Sequence, residues 1–283
     1  MQKVKKMKSF DQVRPREPVA PYQGGKSKLA DTVISYINQI PHNTYAEVFV
    51  GMGGIFLRRD YKPPAEVIND YSRDVSSFFR VLQIHYVAFL DMLKWQITTR
   101  SEFERLISID PDTLTDMQRA ARFLYLQRTS FGGKITGQNF GVSKDRPARF
   151  DITKLSATLE DVHERLSSVT IERLDYKDFI RRYDQPECLF YLDPPYYECE
   201  SDYGKELFDR DEFPKMADLL AGIEGKFIVS LNDHPDVRDI FKAFHIISVE
   251  TVYSISSKES QKVGEVLITN AQSHFRSDDL FGS

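Results

Sequence analysis

Cysteine is nearly missing from this chain. Only Cys188 and Cys199 occur in 283 residues, and neither has a Cys-x-x-Cys partner or a histidine at ligand spacing. That argues against a disulfide framework and against structural zinc, and it makes a reducing cytoplasm the expected setting. Long apolar runs are missing too: none approaches the roughly 20 residues that would span a membrane. The basic start, Met1 to Lys8, is not followed by an apolar stretch and so is no secretory signal. An excess of positive charge is also absent. The formal net charge is −4, so any surface for nucleic acid has to be local. What is present is a composition that folds: 41% hydrophobic and 12% aromatic residues support a sizeable core.

One stretch organises the rest. Cys188–Leu192 is an apolar run of strand length, and it stops on Asp193-Pro194-Pro195-Tyr196-Tyr197. Proline lacks an N–H donor and fixes φ, so a strand cannot continue through the two prolines. An acid and two tyrosines are thereby held on a stiff loop at the carboxyl end of a strand, the edge at which open α/β sheets bind ligands. The set suits a planar heterocycle bearing an amino group. The Asp193 carboxylate and the Pro194 carbonyl accept the two hydrogens of the amine, and a tyrosine stacks on the ring. The plainer alternative is a strand-ending turn whose tyrosines cap the core.

Two glycine turns come earlier. Pro21-Tyr22-Gln23-Gly24-Gly25-Lys26-Ser27-Lys28 runs into Leu29, Val33, Ile34 and Ile37 at helical spacing, a place where backbone N–H groups favour an anion. It falls short of a P-loop, because Ala20 stands where a glycine is needed and Pro18 and Pro21 bracket the approach where a strand is needed. Tyr45–Val50 reads as a strand closed by Gly51-Met52-Gly53-Gly54, with Ile55-Phe56-Leu57 opening a helix. Glu66–Asp70 reads as a second strand ending in an acid, where nucleoside-binding folds use a carboxylate to accept from ribose hydroxyls.

Pro21-Tyr22-x-Gly24-Gly25-Lys26, Glu47-x-Phe49-x-Gly51-x-Gly53 and Asp193-Pro194-Pro195-Tyr196, in that order, resemble the Dam-like adenine-specific DNA methyltransferases. Within them they match the alpha group, whose cofactor motifs both precede the catalytic one. The resemblance implies S-adenosylmethionine as cofactor, held by Tyr22, Gly24, Gly25, Lys26, Glu47, Phe49, Gly51, Gly53 and Asp70. It also implies an acid and an aromatic near the cofactor adenine, supplied here by Asp175-Tyr176, although Asp175 reads equally as a helix N-cap. Asp193, Pro194, Pro195 and Tyr196 become the catalytic set. The implied reaction moves a methyl group to the exocyclic amine of adenine in duplex DNA after base flipping, with Tyr196 stacking on the extruded base and no metal involved. Three other readings stand beside it: an RNA or protein-glutamine amino-methyltransferase, a P-loop-like nucleotidase, and a non-catalytic DNA-binding relic. The first more often places Asn ahead of the prolines, and the last needs a broken motif.

The expected fold is α/β: a Rossmann-like methyltransferase sheet with a helical target-recognition insertion. Residues 1–18 are read as a flexible lead-in, 19–71 and 151–270 as the catalytic domain, 72–150 as the insertion and 271–283 as a polar tail. The insertion shows helical spacing through Phe78, Phe79, Leu82, Val87, Leu90 and Leu93, and again through Ala120, Phe123, Leu124 and Leu126. Its end is basic. Arg119, Arg122, Arg128, Lys134, Lys144, Arg146 and Arg149 face the single acid Asp145. With Gln138 and Asn139 among glycine turns, these are the expected DNA contacts, cations to backbone and amides to base edges. Beyond it, 244–252 and 263–269 read as two antiparallel strands, and the loop with Lys258 between them is implied to flank the target base. His234 at a strand end is a weaker candidate. Asp279-Leu280-Phe281 resembles the end of peptides that dock on sliding clamps. A bacterial or phage-encoded enzyme working on nucleoid DNA is the expectation for setting.

Overall fold

The computed structural model describes residues 10–141, 147–199, 208–256 and 259–275, with backbone only at 250–256 and 259–263. Two short strands, β1 (Asp11–Gln12) and β3 (Tyr61–Lys62), form an outlying antiparallel ribbon. The centre is a seven-stranded sheet of β2 (Thr44–Glu47), β4 (Ala65–Asn69), β5 (Thr170–Glu172), β6 (Cys188–Leu192), β7 (Lys226–Asn232), β8 (His245–Ser256) and β9 (Glu259–Thr269). Its order is β5-β4-β2-β6-β7-β9-β8. β5, β4, β2, β6 and β7 pair in parallel, and β9 runs against both its neighbours. The chain moves outward from β2 through β4 to β5, then returns to lay β6 on the other side of β2. The sheet therefore changes direction between β2 and β6, and a crevice opens there beyond the carboxyl ends of the strands. This is a doubly wound, Rossmann-like α/β sheet, as the sequence implied.

The strands bury both faces, and alternate residues go to opposite sides. Leu189 and Tyr191 of β6 join the core shared with α1 (Ala30–Gln39), α2 (Arg73–Ile84) and α6 (Ile152–Leu166). Cys188, Phe190 and Leu192 join the opposite core, against α7 (Tyr176–Tyr183), α8 (Glu212–Ala221) and α9 (Pro235–Ile240). Among the described residues, no helix is long and apolar enough to cross a membrane.

Two expectations need correction. The helix expected after the second glycine turn is a single 3-10 turn, Phe56–Arg58. Its apolar residues are contiguous and not spaced around a helix, and Pro63-Pro64 follow too closely for another turn. The part of the lead-in that is described is fixed. Val13 N–H donates to the Asp60 carbonyl at 2.8 Å, Arg16 N–H donates to the Leu57 carbonyl at 2.7 Å, and the Arg16 guanidinium pairs with Asp161 and Glu164. The insertion shares the core of the sheet's helices. α3 (Tyr86–Leu93) and α5 (Asp116–Thr129) pack on α2, α4 (Arg100–Ser108) packs on α5, and their buried side chains belong to the same core as α1. α5 opens on a capping box, with Thr115 accepting from Gln118 N–H and the Gln118 side chain accepting from Thr115 N–H.

Phe78 ties these helices together. It is fully buried, with its ring centroid 5.4 Å from Phe79, 6.2 Å from Phe89 and 6.0 Å from Phe123. Phe78→Ala is expected to lower stability by about 3–5 kcal/mol. Urea unfolding followed by far-UV circular dichroism is expected to shift as one transition; a separate early transition of the helical segment alone would contradict a shared core.

Candidate active site

The loop after β6 is locked by its neighbour β7. The Asn232 side chain accepts from Tyr197 N–H at 2.9 Å and donates to the Tyr197 carbonyl at 3.1 Å. Tyr197 itself turns into the core, its ring 5.3 Å from Phe213 and its hydroxyl donating to Asp236 at 2.8 Å. That leaves Asp193 and Tyr196 facing the crevice side of the loop, half-buried.

Lys26, from the first glycine turn, reaches both. Its Nζ lies 2.6 Å from Oδ1 of Asp193, donates to the Tyr196 hydroxyl at 2.9 Å, and stands 4.3 Å from the Tyr196 ring centroid. Ser230 of β7 donates to the same Oδ1 at 3.2 Å. Glu265 of β9 places Oε2 4.0 Å from Nζ. The Lys26 side chain is 1% exposed and that of Glu265 is fully buried, so the charges meet with little water between them. Burial pushes the Asp193 carboxyl above the usual range and Glu265 adds to the push, while Lys26 and Ser230 pull it back.

A cavity of about 590 Å³ opens along the carboxyl ends of β2, β4 and β6. Register explains the convergence: Glu47 lies level with Tyr191 of β6 and Ile68 of β4, so the residues just beyond each strand share one edge. The cavity is lined by Tyr22, Gly24, Gly25, Lys26, Glu47, Phe49, Gly51, Asp70, Asp193 and Pro195, together with Phe208 and Ile135. Asp70 accepts from Gly51 N–H at 3.0 Å and from Ser72 N–H at 2.9 Å, and burial outweighs these bonds to push its carboxyl up to about 6. Gly51 has φ +51°, and a Cβ there would meet Cε1 of Tyr22 at 2.9 Å. Only glycine lets that ring and that turn approach so closely.

Some expected residues are placed elsewhere. Pro194, Tyr196, Gly53, Asp175 and Tyr176 do not line the cavity. Asp175 caps α7 by accepting from Lys177 N–H at 2.9 Å, the alternative its sequence allowed. Tyr176 stands behind Phe49, ring to ring at 5.9 Å, with its hydroxyl on Glu212. His234 caps α9, its Nδ1 accepting from Asp236 N–H. Several expected DNA contacts are committed inside the protein. Arg119 is buried between Asp74 and Asp112, and Arg122 donates to the Leu106 carbonyl. Arg128 holds the carbonyls of Val19 and Arg149, and Arg149 holds that of Ser130. Arg119 is buried, and Arg122, Arg128 and Arg149 each spend at least one donor on a backbone carbonyl, so all four help to build the insertion. Gln138 is half-buried and donates to the Gln127 side chain, whereas Lys134 and Asn139 are exposed. Lys144, Arg146, Lys258 and Asp279-Leu280-Phe281 lie outside the described residues.

Ser230, Glu265 and Phe208 escaped the sequence reading. Ser230 and Glu265 each left a signal: a lone polar residue within or beside an apolar strand run. Phe208, next to Leu207 in an otherwise polar stretch, left none.

Comparison with known proteins places these features in context. The family described as D12 class N6 adenine-specific DNA methyltransferase matches residues 22–255. The Type II methyltransferase M1.LlaDCHI of Lactococcus lactis subsp. cremoris is 23% identical over 274 residues, spanning 89% of this chain and 95% of that one. The Type II methyltransferase M.CviBI of Paramecium bursaria Chlorella virus NC1A is 21% identical over 257 residues, spanning 89% and 96%. A DNA N-6-adenine-methyltransferase of Escherichia phage P1 is 22% identical over 239 residues, spanning 78% of this chain and 30% of that one.

The buried Glu47 yields a test of the site's electrostatics. Burial pushes its carboxyl from 4.5 up to about 8, against the pull of the Tyr45 hydroxyl, which donates to it at 2.6 Å. The folded state therefore keeps a proton that the unfolded chain releases above its lower pKa, so this group's contribution falls as pH rises through that window. Glu47→Gln removes the dependence. Its stability relative to the unsubstituted protein is expected to rise between about pH 5 and about pH 8 in urea unfolding; a pH-independent difference would show that Glu47 ionises freely.

Proposed function

From the premise that the chain belongs to the D12 class of N6 adenine-specific DNA methyltransferases, we propose which of its residues carry the reaction and on what form of DNA. The enzyme uses S-adenosylmethionine to methylate adenine in DNA. The observation that carries the residue assignment is a shared cavity: Asp193 and Pro195 of the catalytic loop line it together with Glu47, Gly51 and Asp70.

The cavity fits the cofactor. Its size lies within the roughly 300–1,000 Å³ of small-molecule sites. The carboxyl groups of Asp70, Asp74 and Asp193 line it and suit a cationic ligand. The Tyr22 ring on Gly51 gives it a flat wall beside an acid placed to accept from hydroxyls. When bound, S-adenosylmethionine supplies an activated methyl group, and its sulfur keeps the electron pair of the broken bond. Tyr22, Gly24, Gly25, Phe49, Gly51 and Asp70 are assigned to holding it. Gly53 acts indirectly, since a Cβ there would strike Leu57 at 2.9 Å. Asp175 and Tyr176 act only through α7 and Phe49.

The adenine amine is a poor nucleophile because its lone pair is delocalised into the ring. Asp193 and the Pro194 carbonyl accept its two hydrogens and draw the nitrogen toward tetrahedral geometry. The nitrogen's pair then forms the bond to the methyl carbon, and the nitrogen sheds one proton to Asp193, which passes it to water. Because the methyl group is already activated, in-line positioning supplies much of the acceleration, and Asp193 stabilises the charge that develops on nitrogen.

The substrate is read as duplex DNA. The half-buried Asp193 cannot meet an amine inside a base stack, so the base leaves the helix and Tyr196 stacks on it. Lys134 and Asn139, exposed on the loop beside the cavity, with Lys144, Arg146 and Lys258, are assigned to DNA contact. Residues 72–150 are assigned to target recognition. The Type II names of two relatives favour marking of one specific site. Clamp docking through Asp279-Leu280-Phe281 rests on those three residues alone.

Incubating the protein with radiolabelled S-adenosylmethionine and unmodified duplex DNA, followed by digestion to nucleosides, is expected to place the label in N6-methyladenine. Label confined to RNA or protein would overturn the substrate. Asp193→Ala is expected to reduce kcat by about 10²–10³-fold or more, with cofactor affinity kept. Gly51→Ala is expected to act the other way, weakening cofactor binding in equilibrium dialysis by about tenfold, roughly 1.4 kcal/mol. Unchanged affinity would remove the Gly51 turn from the cofactor site.

A further inference from the structure

The proposed reaction gives Asp193 a role but says nothing of which oxygen performs it, and it gives Lys26 no role. The two questions have one answer in the geometry. Oδ1 of Asp193 accepts from Lys26 Nζ at 2.6 Å and from Ser230 Oγ at 3.2 Å. A carboxylate oxygen has two in-plane lone pairs, so both of these are taken. The hydroxyl of Ser230 carries one proton, and giving it to Asp193 makes Tyr191, 3.1 Å away, the donor to Ser230 in turn. Lys26 has three N–H donors. One is on Asp193, one is on the Tyr196 hydroxyl at 2.9 Å, and Glu265 lies on the remaining side at 4.0 Å. A single ammonium thus sets the position of the motif's acid and of its aromatic ring together.

We propose that Lys26 and Ser230, with Glu265 as counter-charge, clasp Oδ1 of Asp193 so that Oδ2 is the atom presented to the incoming amine. Lys26 is then a positioning residue for methyl transfer and not a ligand of S-adenosylmethionine. This rests on the adenine-methylating reading above. It departs from what the glycine turn suggested, where the lysine stands in the position that a P-loop uses for phosphate. Here its side chain is directed to the catalytic loop.

Lys26→Met keeps the length of the side chain and removes the charge. Cofactor affinity in equilibrium dialysis is expected to stay within about threefold, while kcat with saturating cofactor and DNA falls at least about a hundredfold. The pH profile gives a readout that a purely structural role would not move. The charged or titratable groups around Asp193 are Lys26, Glu265, Glu47, Tyr191 and Tyr196. Removing the one cation leaves carboxyl groups and phenols, so the acidic limb of kcat is expected to move to higher pH by about one unit or more. In Lys26→Ala, added ethylammonium is expected to restore part of kcat. Ser230→Ala removes only one hydroxyl and is expected to lower kcat about tenfold with the cofactor constant unchanged; it carries the same test if the lysine variants fail to fold. Loss of cofactor binding in Lys26→Met with kcat and its pH limb unmoved would overturn the clasp. A wild-type protein that leaves DNA unlabelled would instead overturn the function on which the clasp rests.

Discussion

A buried ammonium has to be answered by negative charge, and the active site is built around one. Lys26, on the first glycine turn, is almost free of solvent, and the groups around it arrive from three places: the loop after β6, the middle of β7 and the start of the apolar part of β9. Removing one partner leaves a charge in a low-dielectric interior, which is among the most destabilising changes a protein can suffer. The pair therefore fixes more than a side chain. It holds the glycine turn against the loop after β6, at the edge of the cavity.

The helical segment is tied into the same arrangement. Gln23 N–H donates to the Gly133 carbonyl at 3.0 Å, and the Gln127 side chain donates to the carbonyls of both Pro21 and Gly133. A Cβ on Gly133 would meet the Pro21 backbone at 2.8 Å, so the loop sits directly on the turn that carries Tyr22 and Lys26. Ile135 of that loop reaches the cavity itself. The loop is in this way one backbone hydrogen bond from the turn that carries Tyr22 and Lys26, and Arg128 binds its base to Val19.

Those parts of the site that are local in sequence were legible there. The strand, acid and two prolines at 188–195 dictate a stiff loop at a strand end, and Asp70 follows its strand as the pattern required. Gly51 was readable as a turn, although its contact with Tyr22 was not. What stayed hidden depends on pairing across the fold. The excess of arginine at 119–149 looked like free positive charge because Asp74 and Asp112, which answer Arg119, lie outside that window. Arg128 and Arg149 bind backbone carbonyls, which no composition reveals. Lys26 was assigned to the cofactor by the resemblance of its motif, and only the sheet brings Asp193 to it. Asp175 shows the remaining difficulty: an N-cap and a ligand acid look the same in sequence, and only the fold shows its carboxylate accepting from Lys177 N–H.

The last strand to be made is not the last in the sheet. β9 lies between β7 and β8, so β8 leaves the ribosome with no partner to pair with, and the edge of β7 stands open beside it. Closure waits for residues 259–269 to insert into that gap, a long-range step of the kind that slows folding and leaves unpaired edges exposed meanwhile. The same strand delivers Glu265. A nascent chain in which the first glycine turn and the loop after β6 are already formed thus still lacks the carboxyl group that stands 4.0 Å from its buried lysine.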